Sequence, residues 1–144
     1  MTKKLKCVLL IDDDEPTNFL NRMAIEELDC VEHIRIIQNA REALDYLVCA
    51  YQPPPLNENC PKPEIIFLDI NMPAMDGWEF LEKYESLPGN NKSSVIVIML
   101  TTSFNPEDAL KANAIASVSE FRNKPLTPEG LREILQKYYP EVCK

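Results

Sequence analysis

Residues 66–77, IFLDINMPAMDG, decide the fold because they join an apolar run to an acid and a turn. The run at residues 64–70 is almost continuously apolar, which is typical of a central parallel strand covered on both faces. It nevertheless contains Asp69, and burying an ionised carboxylate is costly unless the group is paired, bound to a metal or reactive. This stretch therefore predicts a buried strand that delivers a functional acid to one edge of a parallel sheet.

Outward from this strand, short apolar runs alternate with stretches of helical periodicity. The runs occupy residues 7–11, 33–37, 64–70 and 95–100, with a weaker one at 117–123. Four of these runs are followed by a predicted helix whose apolar side chains recur at helical spacing. The four sets are Phe19, Leu20, Met23 and Ala24; Leu44, Leu47 and Val48; Phe80, Tyr84 and Leu87; and Leu131, Ile134, Leu135 and Tyr138. Asn105-Pro106 and Thr127-Pro128 mark the starts of the last two helices. Five β-α repeats predict an α/β fold, a parallel sheet with helices on both faces.

Size and charge limit the possible functions. We interpret residues 1–144 as one domain without an output module, with a proline-rich loop at 51–63 that is either a passive spacer or a docking loop. No apolar run approaches the roughly 18 residues that span a bilayer. A net charge of −8 argues against nucleic-acid binding and favours magnesium or a partner with a basic surface. The apolar start stops at Ile11 and meets four acids, so we expect no signal peptide and a cytoplasmic protein.

Cysteine and histidine usage argues against several kinds of site. The five cysteines, an odd number without a CxxC pair, are Cys7, Cys30, Cys49, Cys60 and Cys143. This pattern favours reduced thiols over a disulfide framework or a zinc site, with Cys7 in the core of the first strand. His33 is the single histidine, which argues against a histidine-based triad or metal cluster.

Polar residues stand at the ends of the predicted strands, where open parallel sheets bind ligands. The first strand ends in Asp12, Asp13 and Asp14, the third in Asp69, the fourth in Thr101, Thr102 and Ser103, and the fifth in Lys124. Clustered carboxylates repel one another unless a divalent cation or an ammonium group compensates them, and magnesium suits such oxygens. An aspartate can attack phosphorus to form an acyl phosphate. Asp69 is the candidate for this role, with metal, Lys124 and the Thr101 hydroxyl meeting the charge.

The motifs LLIDDDEPTN, FLDINMPAMDGWEFL, VIMLTTS and FRNKPL, in this order, resemble those of receiver domains of two-component response regulators. The resemblance extends over residues 5–138 and implies a flavodoxin-like, doubly wound five-stranded sheet of order 2-1-3-4-5. It implies that Asp69 accepts a phosphoryl group from a sensor histidine kinase or a phosphotransfer protein. The implied site residues are Asp12, Asp13, Asp69 and the backbone carbonyl of Asn71 for Mg²⁺, Thr101 as switch hydroxyl, Lys124 as phosphate-pairing lysine and Phe121 as switch aromatic. A cis bond between Lys124 and Pro125 is also implied.

Some positions depart from the family pattern. Ser117 replaces the usual glycine before the fifth strand, Phe121 lacks a tyrosine hydroxyl, and Thr102 is bulkier than the common alanine. The leading hypothesis is a stand-alone receiver that works as a phosphorylation-dependent switch or as a relay shuttle. A downstream protein would recognise it at the face formed by residues 105–139, and its oligomeric state stays open between a monomer and a homodimer. The alternatives are a magnesium-dependent phosphatase with an aspartyl nucleophile and an unphosphorylated docking module. Asn71, where such phosphatases carry a second acid, cannot transfer a proton.

Overall fold

The computed structural model describes residues 3–88, 95–102 and 105–143. Within these ranges, strands and helices alternate as β1 (Leu5–Ile11), α1 (Glu15–Leu28), β2 (Val31–Ile37), α2 (Ala40–Ala50), β3 (Ile65–Asp69), α3 (Gly77–Glu85), β4 (Ile96–Thr101), α4 (Pro106–Asn113), β5 (Glu120–Asn123) and α5 (Pro128–Tyr138). None of the helices in the described ranges is long and apolar enough to cross a membrane. The five β-α repeats expected from the sequence are confirmed.

The sheet has the order β2-β1-β3-β4-β5, and each neighbouring pair is parallel. The predicted doubly wound order is therefore confirmed. β1 and β3 lie side by side in the centre, so the residues that end them face the same edge of the sheet. β1 is also the strand from which the chain winds in both directions, which is where ligands bind in folds of this class.

Apolar side chains form two layers, one on each side of the sheet. One layer packs α2 and α3 on the sheet through residues such as Leu47, Phe80 and Tyr84. The other packs α1 and α5 on the opposite side through residues such as Ile25, Leu131 and Ile134. Alternate residues of β1, with Leu9 and Ile11 in one layer and Leu10 in the other, are shared between them because side chains alternate along a strand.

The apolar stripe predicted for α1 is wrong. Phe19, Leu20 and Met23 are exposed, by 63%, 50% and 51%, and only Ala24 of the predicted stripe is buried. The buried face is instead rotated by about one residue and carries Asn18, Asn21, Ala24 and Ile25. Two buried hydrogen bonds made by the asparagines, described below, fix this rotation.

The other stripes agree better with the structure. Leu47 in α2, Phe80 and Tyr84 in α3, and Leu131, Ile134 and Leu135 in α5 are buried. Val48 is exposed, because the sheet-facing side of α2 is made of Ala40, Ala43, Leu47 and Ala50. The predicted helix starts are confirmed, since Asn105 and Thr127 accept hydrogen bonds from the first turns of α4 and α5. Asp14 caps α1 in the same way.

Four cysteines are paired, which corrects the prediction of reduced thiols. Disulfides join Cys30 to Cys143 and Cys49 to Cys60, with Cα atoms 5.5 and 5.9 Å apart. Cys7 alone is free and lies buried in β1, as predicted. Residue spacing could not reveal the first pair, because its members are 113 residues apart and meet only when the chain end returns beside Lys3.

The loop at residues 51–63 folds back on its own domain. Tyr46 donates a hydrogen bond to the carbonyl of Pro61, and the Tyr51 and Tyr84 hydroxyls are hydrogen-bonded at 2.8 Å in the core. The Cys49–Cys60 bond joins its far end to α2. A cis bond also occurs in the loop, between Pro54 and Pro55.

Candidate functional site

Three charged side chains meet at the carboxyl edge of the sheet. Asp12 follows β1, Asp69 ends β3, and Lys124 follows β5. The Lys124 Nζ atom lies 2.7 Å from Asp12 Oδ2 and 2.9 Å from Asp69 Oδ1. All three side chains are at least nine-tenths buried. Such burial makes the ammonium group a necessary partner for two carboxylates that would otherwise repel each other.

This environment shifts the pKa values of two of the groups. Burial raises the pKa of Asp69 above the usual carboxyl range; the hydrogen bond from Lys124 opposes this and the charge of Asp12 adds to it. Burial by itself would lower the pKa of Lys124, but hydrogen bonds to Asp12 and Asp69 outweigh burial and raise it. Lys124 is therefore held as a cation, whereas Asp69 carries its charge at a cost to the folded state.

The acids also fit a divalent cation. One oxygen from each of Asp12, Asp13 and Asp69 can be chosen so that all three lie within 4.8 Å of one another. Carboxylate oxygens are the ligands preferred by hard cations such as Mg²⁺ and Mn²⁺. Asp13 is exposed while the other two are buried, so the cluster opens to solvent on the side where a hydrated ion would enter. With three acids and one ammonium group, the cluster keeps a negative charge for such an ion to neutralise.

The turn after β3 holds Asp69 close to the start of α3. The backbone N–H of Asn71 donates to Asp69 Oδ1 at 3.3 Å, and the N–H of Gly77 donates to the carbonyl of Ile70 at 2.8 Å. A Cβ atom on Gly77 would lie only 2.7 Å from the Asp69 carbonyl oxygen and 2.9 Å from the Ile70 Cα atom. Both neighbours are backbone atoms, so glycine at this position allows the helix to approach the end of the strand.

Thr101 ends β4, and Phe121 lies in β5, the strand that leads to Lys124. Thr101 is fully buried, and its carbonyl accepts a hydrogen bond from the backbone N–H of Lys124 at 2.8 Å. Phe121 is half-buried against the core layer under α2 and α3. Thr102 is exposed, and Ser103 lies outside the described residues. The bond between Lys124 and Pro125 is cis, as the sequence motif implied.

Ser117, which stands where the family usually has glycine, does not need the positive φ that glycine accepts most readily. Among the described residues, Asp29, Ala74 and Cys143 are the non-glycine residues with a positive φ, and Ser117 is not one of them. The Ser117 hydroxyl donates a hydrogen bond to Glu85 Oε1 at 3.0 Å. The turn before β5 has therefore adapted to serine.

Sequence reasoning missed Asn18 and Asn21 of α1. The Asn18 side chain donates to the carbonyl of Asp12 at 2.8 Å, and the Asn21 side chain accepts from the backbone N–H of Leu126 at 2.9 Å. Both contacts are buried and join α1 to segments that carry site residues. Two amides spaced three residues apart, on one face of a helix that starts beside the acids, were the available signal.

Comparison with known proteins identifies related chains. The family model described as "Response regulator receiver domain" matches residues 8–136. Response regulator Rcp1 of Synechocystis is 30% identical over 105 residues, which cover 73% of this chain and 67% of Rcp1. The histidine-protein kinase BarA of Escherichia coli is 28% identical over 137 residues, 95% of this chain but only 13% of BarA.

Solved structures of response regulators have the same fold as this chain. A two-component response regulator from Cytophaga hutchinsonii superposes with a TM-score of 0.85 at 34% identity, covering 96% of this chain and all of that one. The Mn²⁺-bound form of Rcp1 gives a TM-score of 0.67 at 26% identity, covering 92% of this chain and 90% of that one.

Proposed function

Because the chain belongs to the response regulator receiver family, we propose that it accepts a phosphoryl group on Asp69 and signals through the resulting change in conformation. The observation that carries this proposal is the contact of a buried, strand-terminal Asp69 with the Lys124 ammonium group, 2.9 Å away and next to Asp12 and Asp13. A carboxylate held in this way has a cation at hand for the oxygens of an incoming phosphoryl group. The donor is a sensor histidine kinase or a phosphotransfer protein.

The reaction is a displacement at phosphorus. An Asp69 carboxylate oxygen forms a bond to phosphorus while the bond between phosphorus and the donor's histidine nitrogen breaks, and the imidazole takes the electron pair. Lys124 then pairs with the phosphoryl oxygens, and the Thr101 hydroxyl donates a hydrogen bond to them. Asp12 keeps its negative charge, which the Lys124 ammonium group, together with a divalent cation when bound, would balance.

The cation of this site is proposed to be Mg²⁺. Asp12, Asp13 and Asp69, with the backbone carbonyl of Asn71, would hold it, and it would neutralise charge on the phosphoryl oxygens when bound. The donor set consists of hard oxygens, and receiver domains bind divalent metals, as the Mn²⁺-bound form of Rcp1 illustrates. A rise in melting temperature on adding Mg²⁺ that is lost in Asp13→Ala would support these ligands.

The output surface is proposed to be the face formed by residues 105–139. Movement of the Thr101 hydroxyl toward the phosphoryl group leaves space into which the ring of Phe121 turns, which repacks α4 and β5. A downstream protein, or a second copy of the chain through α4, β5 and α5, would then recognise the changed face. An NMR comparison of wild type and Thr101→Ala with beryllofluoride tests the coupling, because the alanine variant should bind the mimic without the shifts around Phe121.

The donor is proposed to dock on α1. Phe19, Leu20 and Met23 form an exposed apolar patch on the helix that begins beside Asp13, and such patches mark interaction sites. The strongly acidic chain suits a partner with a basic rim. Nucleic acid and membranes are not proposed as partners. The cytoplasm is the proposed compartment; because most cytoplasms keep cysteines reduced, the Cys30–Cys143 and Cys49–Cys60 pairs would be thiols there.

The two alternatives receive less support. Asn71 stands where an aspartyl phosphatase would need its second acid, and receiver domains act as signalling modules rather than as turnover enzymes. An unphosphorylated docking module would have no need of a buried Asp69–Lys124 pair. That the domain acts alone, without an output domain, stays a prediction.

One experiment separates these hypotheses. Incubation with acetyl phosphate and Mg²⁺, followed by mass spectrometry, should add one phosphoryl group to Asp69 in the wild type and none in Asp69→Asn. Equal labelling of both proteins would place the phosphoacceptor elsewhere. Steady release of inorganic phosphate from many small phosphoesters would favour the phosphatase hypothesis. A complete lack of labelling would favour the docking module.

A further inference from the structure

The face of α1 that packs on the sheet carries two buried asparagines. Asn18 and Asn21 are 3% and 1% exposed, whereas Phe19 and Leu20 between them point to solvent. A helix on a sheet normally buries its apolar side chains and exposes its amides. Where a sequence breaks this rule, the cause is commonly a functional site nearby. Asn18 and Asn21 lie on the half of α1 that begins next to the charged cluster.

Asn21 holds the segment that carries Lys124. Its Oδ1 atom accepts a hydrogen bond from the N–H of Leu126, 105 residues away in the chain and two residues after the lysine. On the other side, the N–H of Lys124 itself donates to the carbonyl of Thr101. The backbone around Lys124 is therefore fixed at two points, one on β4 and one on α1.

Asn18 holds the segment that carries Asp12. Its Nδ2 atom donates to the Asp12 carbonyl at 2.8 Å, and the Asp12 carboxylate binds Lys124 Nζ. Among the described residues, the buried Oδ1 atom of Asn18 has no hydrogen-bond partner. An apolar side chain would avoid that cost, so packing alone does not account for an amide at this position.

We propose that Asn18 and Asn21 are positioning residues that set the distance between Asp12 and Lys124 from a single helix face. Neither touches the reacting atoms; they act by fixing the two backbone segments, so that the ammonium group lies between Asp12 and Asp69. The expected effect on phosphoryl transfer rests on the proposed function. The expected effect on the contacts of Lys124 with Asp12 and Asp69 does not depend on that function.

The test compares Asn21→Leu with Ile25→Ala. Leucine has a similar branched shape, although a larger volume, and leaves the Leu126 N–H without an acceptor. Ile25 is buried on the same helix and takes no part in the site. Two quantities are measured, the ¹⁵N NMR signal of the Lys124 ammonium group and the rate of labelling by acetyl phosphate over a range of concentrations. Asn21→Leu should shift the ammonium signal and lower the maximal labelling rate roughly tenfold or more. Ile25→Ala should lose stability yet keep both quantities.

A wild-type ammonium signal and a wild-type labelling rate in Asn21→Leu would overturn the proposal. Equal losses in Ile25→Ala would also overturn it, because they would show a general effect of destabilising α1. If Asn21→Leu does not fold, Asn21→Gln displaces the acceptor by one methylene and is judged by the same two results. A wild type that takes up no phosphoryl group refutes the proposed function, while the ammonium signal still decides whether Asn21 positions Lys124.

Discussion

Helices α1 and α5 pack side by side on the same face of the sheet, yet their sequences relate to their buried faces in opposite ways. In α5 the apolar stripe is the buried face, with Leu131, Ile134 and Leu135 in the core. In α1 the apolar residues Phe19 and Met23 are exposed and amides are buried. Both helices share one core layer, so the difference does not come from the environment offered by the sheet.

The difference lies in what each helix must hold. The buried face of α5 makes apolar contacts, and apolar periodicity predicts a face of this kind well. The buried face of α1 makes two hydrogen bonds to segments that carry Asp12 and Lys124, and a hydrophobicity pattern does not register them. Periodicity therefore predicts packing, and it fails where a helix supports the site. Substitutions in the two helices and at the site test this contrast, and they are expected to differ in how far they change stability.

The largest loss is expected from Leu131→Ala in α5. Removing a fully buried leucine should cost about 2 to 5 kcal/mol in the free energy of unfolding, because a cavity remains in the core layer. Denaturant unfolding measures this, with Leu110→Ala, exposed on α4, as the control. At temperatures where the variant is folded, acetyl phosphate should label it at the wild-type rate. A strong loss of labelling in folded Leu131→Ala would show that α5 also positions the site.

Gly77→Ala should have the next largest effect and should reach the site as well. The new Cβ atom would collide with the backbone at Asp69 and Ile70, so the start of α3 must move, at a cost of about 1 to 3 kcal/mol. Unfolding and labelling of Asp69 should both be impaired. Gly130→Ala in α5 is the matched control, since its nearest neighbour is a side-chain oxygen 3.1 Å away. Equal behaviour of the two variants would contradict the close approach described at Gly77.

Asp69→Asn should stabilise the metal-free protein modestly. The pKa of Asp69 is raised in the folded state by burial and by Asp12, so at neutral pH the ionised carboxylate disfavours folding and a neutral amide relieves this. The melting temperature of the variant should exceed that of wild type above the raised pKa. The difference should shrink as the pH falls and Asp69 is protonated. Thermal unfolding in EDTA across this pH range measures it, with exposed Asp45→Asn as control. A variant less stable than wild type at neutral pH would show that the contact with Lys124 outweighs the cost of burying the ionised Asp69 carboxylate beside Asp12.

Phe19→Ser should change stability least. The side chain is largely exposed, so the free energy of unfolding should alter by no more than about 0.5 kcal/mol. Labelling by acetyl phosphate should be unchanged, whereas phosphoryl transfer from a histidine kinase should slow if the patch is the docking surface. A marked loss of stability would mean that the apolar stripe of α1 packs against the protein after all.

Much of the fold followed from local patterns. Continuous apolar runs predicted the strands, and the sheet order implied by the motifs is confirmed. The strand-end rule brought Asp12, Asp69 and Lys124 together correctly. The role of Asn21 and the disulfide pairing were not predicted, because both depend on contacts between distant parts of the chain. Asn21 meets Leu126, and Cys30 meets Cys143, only after the sheet has formed, and no local pattern encodes either pairing.

The Cys30–Cys143 bond turns most of the molecule into a closed loop. A single cut of the backbone between the two residues, such as a protease would make, opens the loop without dividing the molecule, and the halves part only when a thiol reductant is added. Disulfides persist in oxidising compartments and are reduced in most cytoplasms. The same cut would therefore leave one covalently linked molecule in an oxidising compartment and two separate fragments in a reducing one. Non-reducing and reducing gels of the nicked protein would thus reveal the redox state of the compartment from which it was taken.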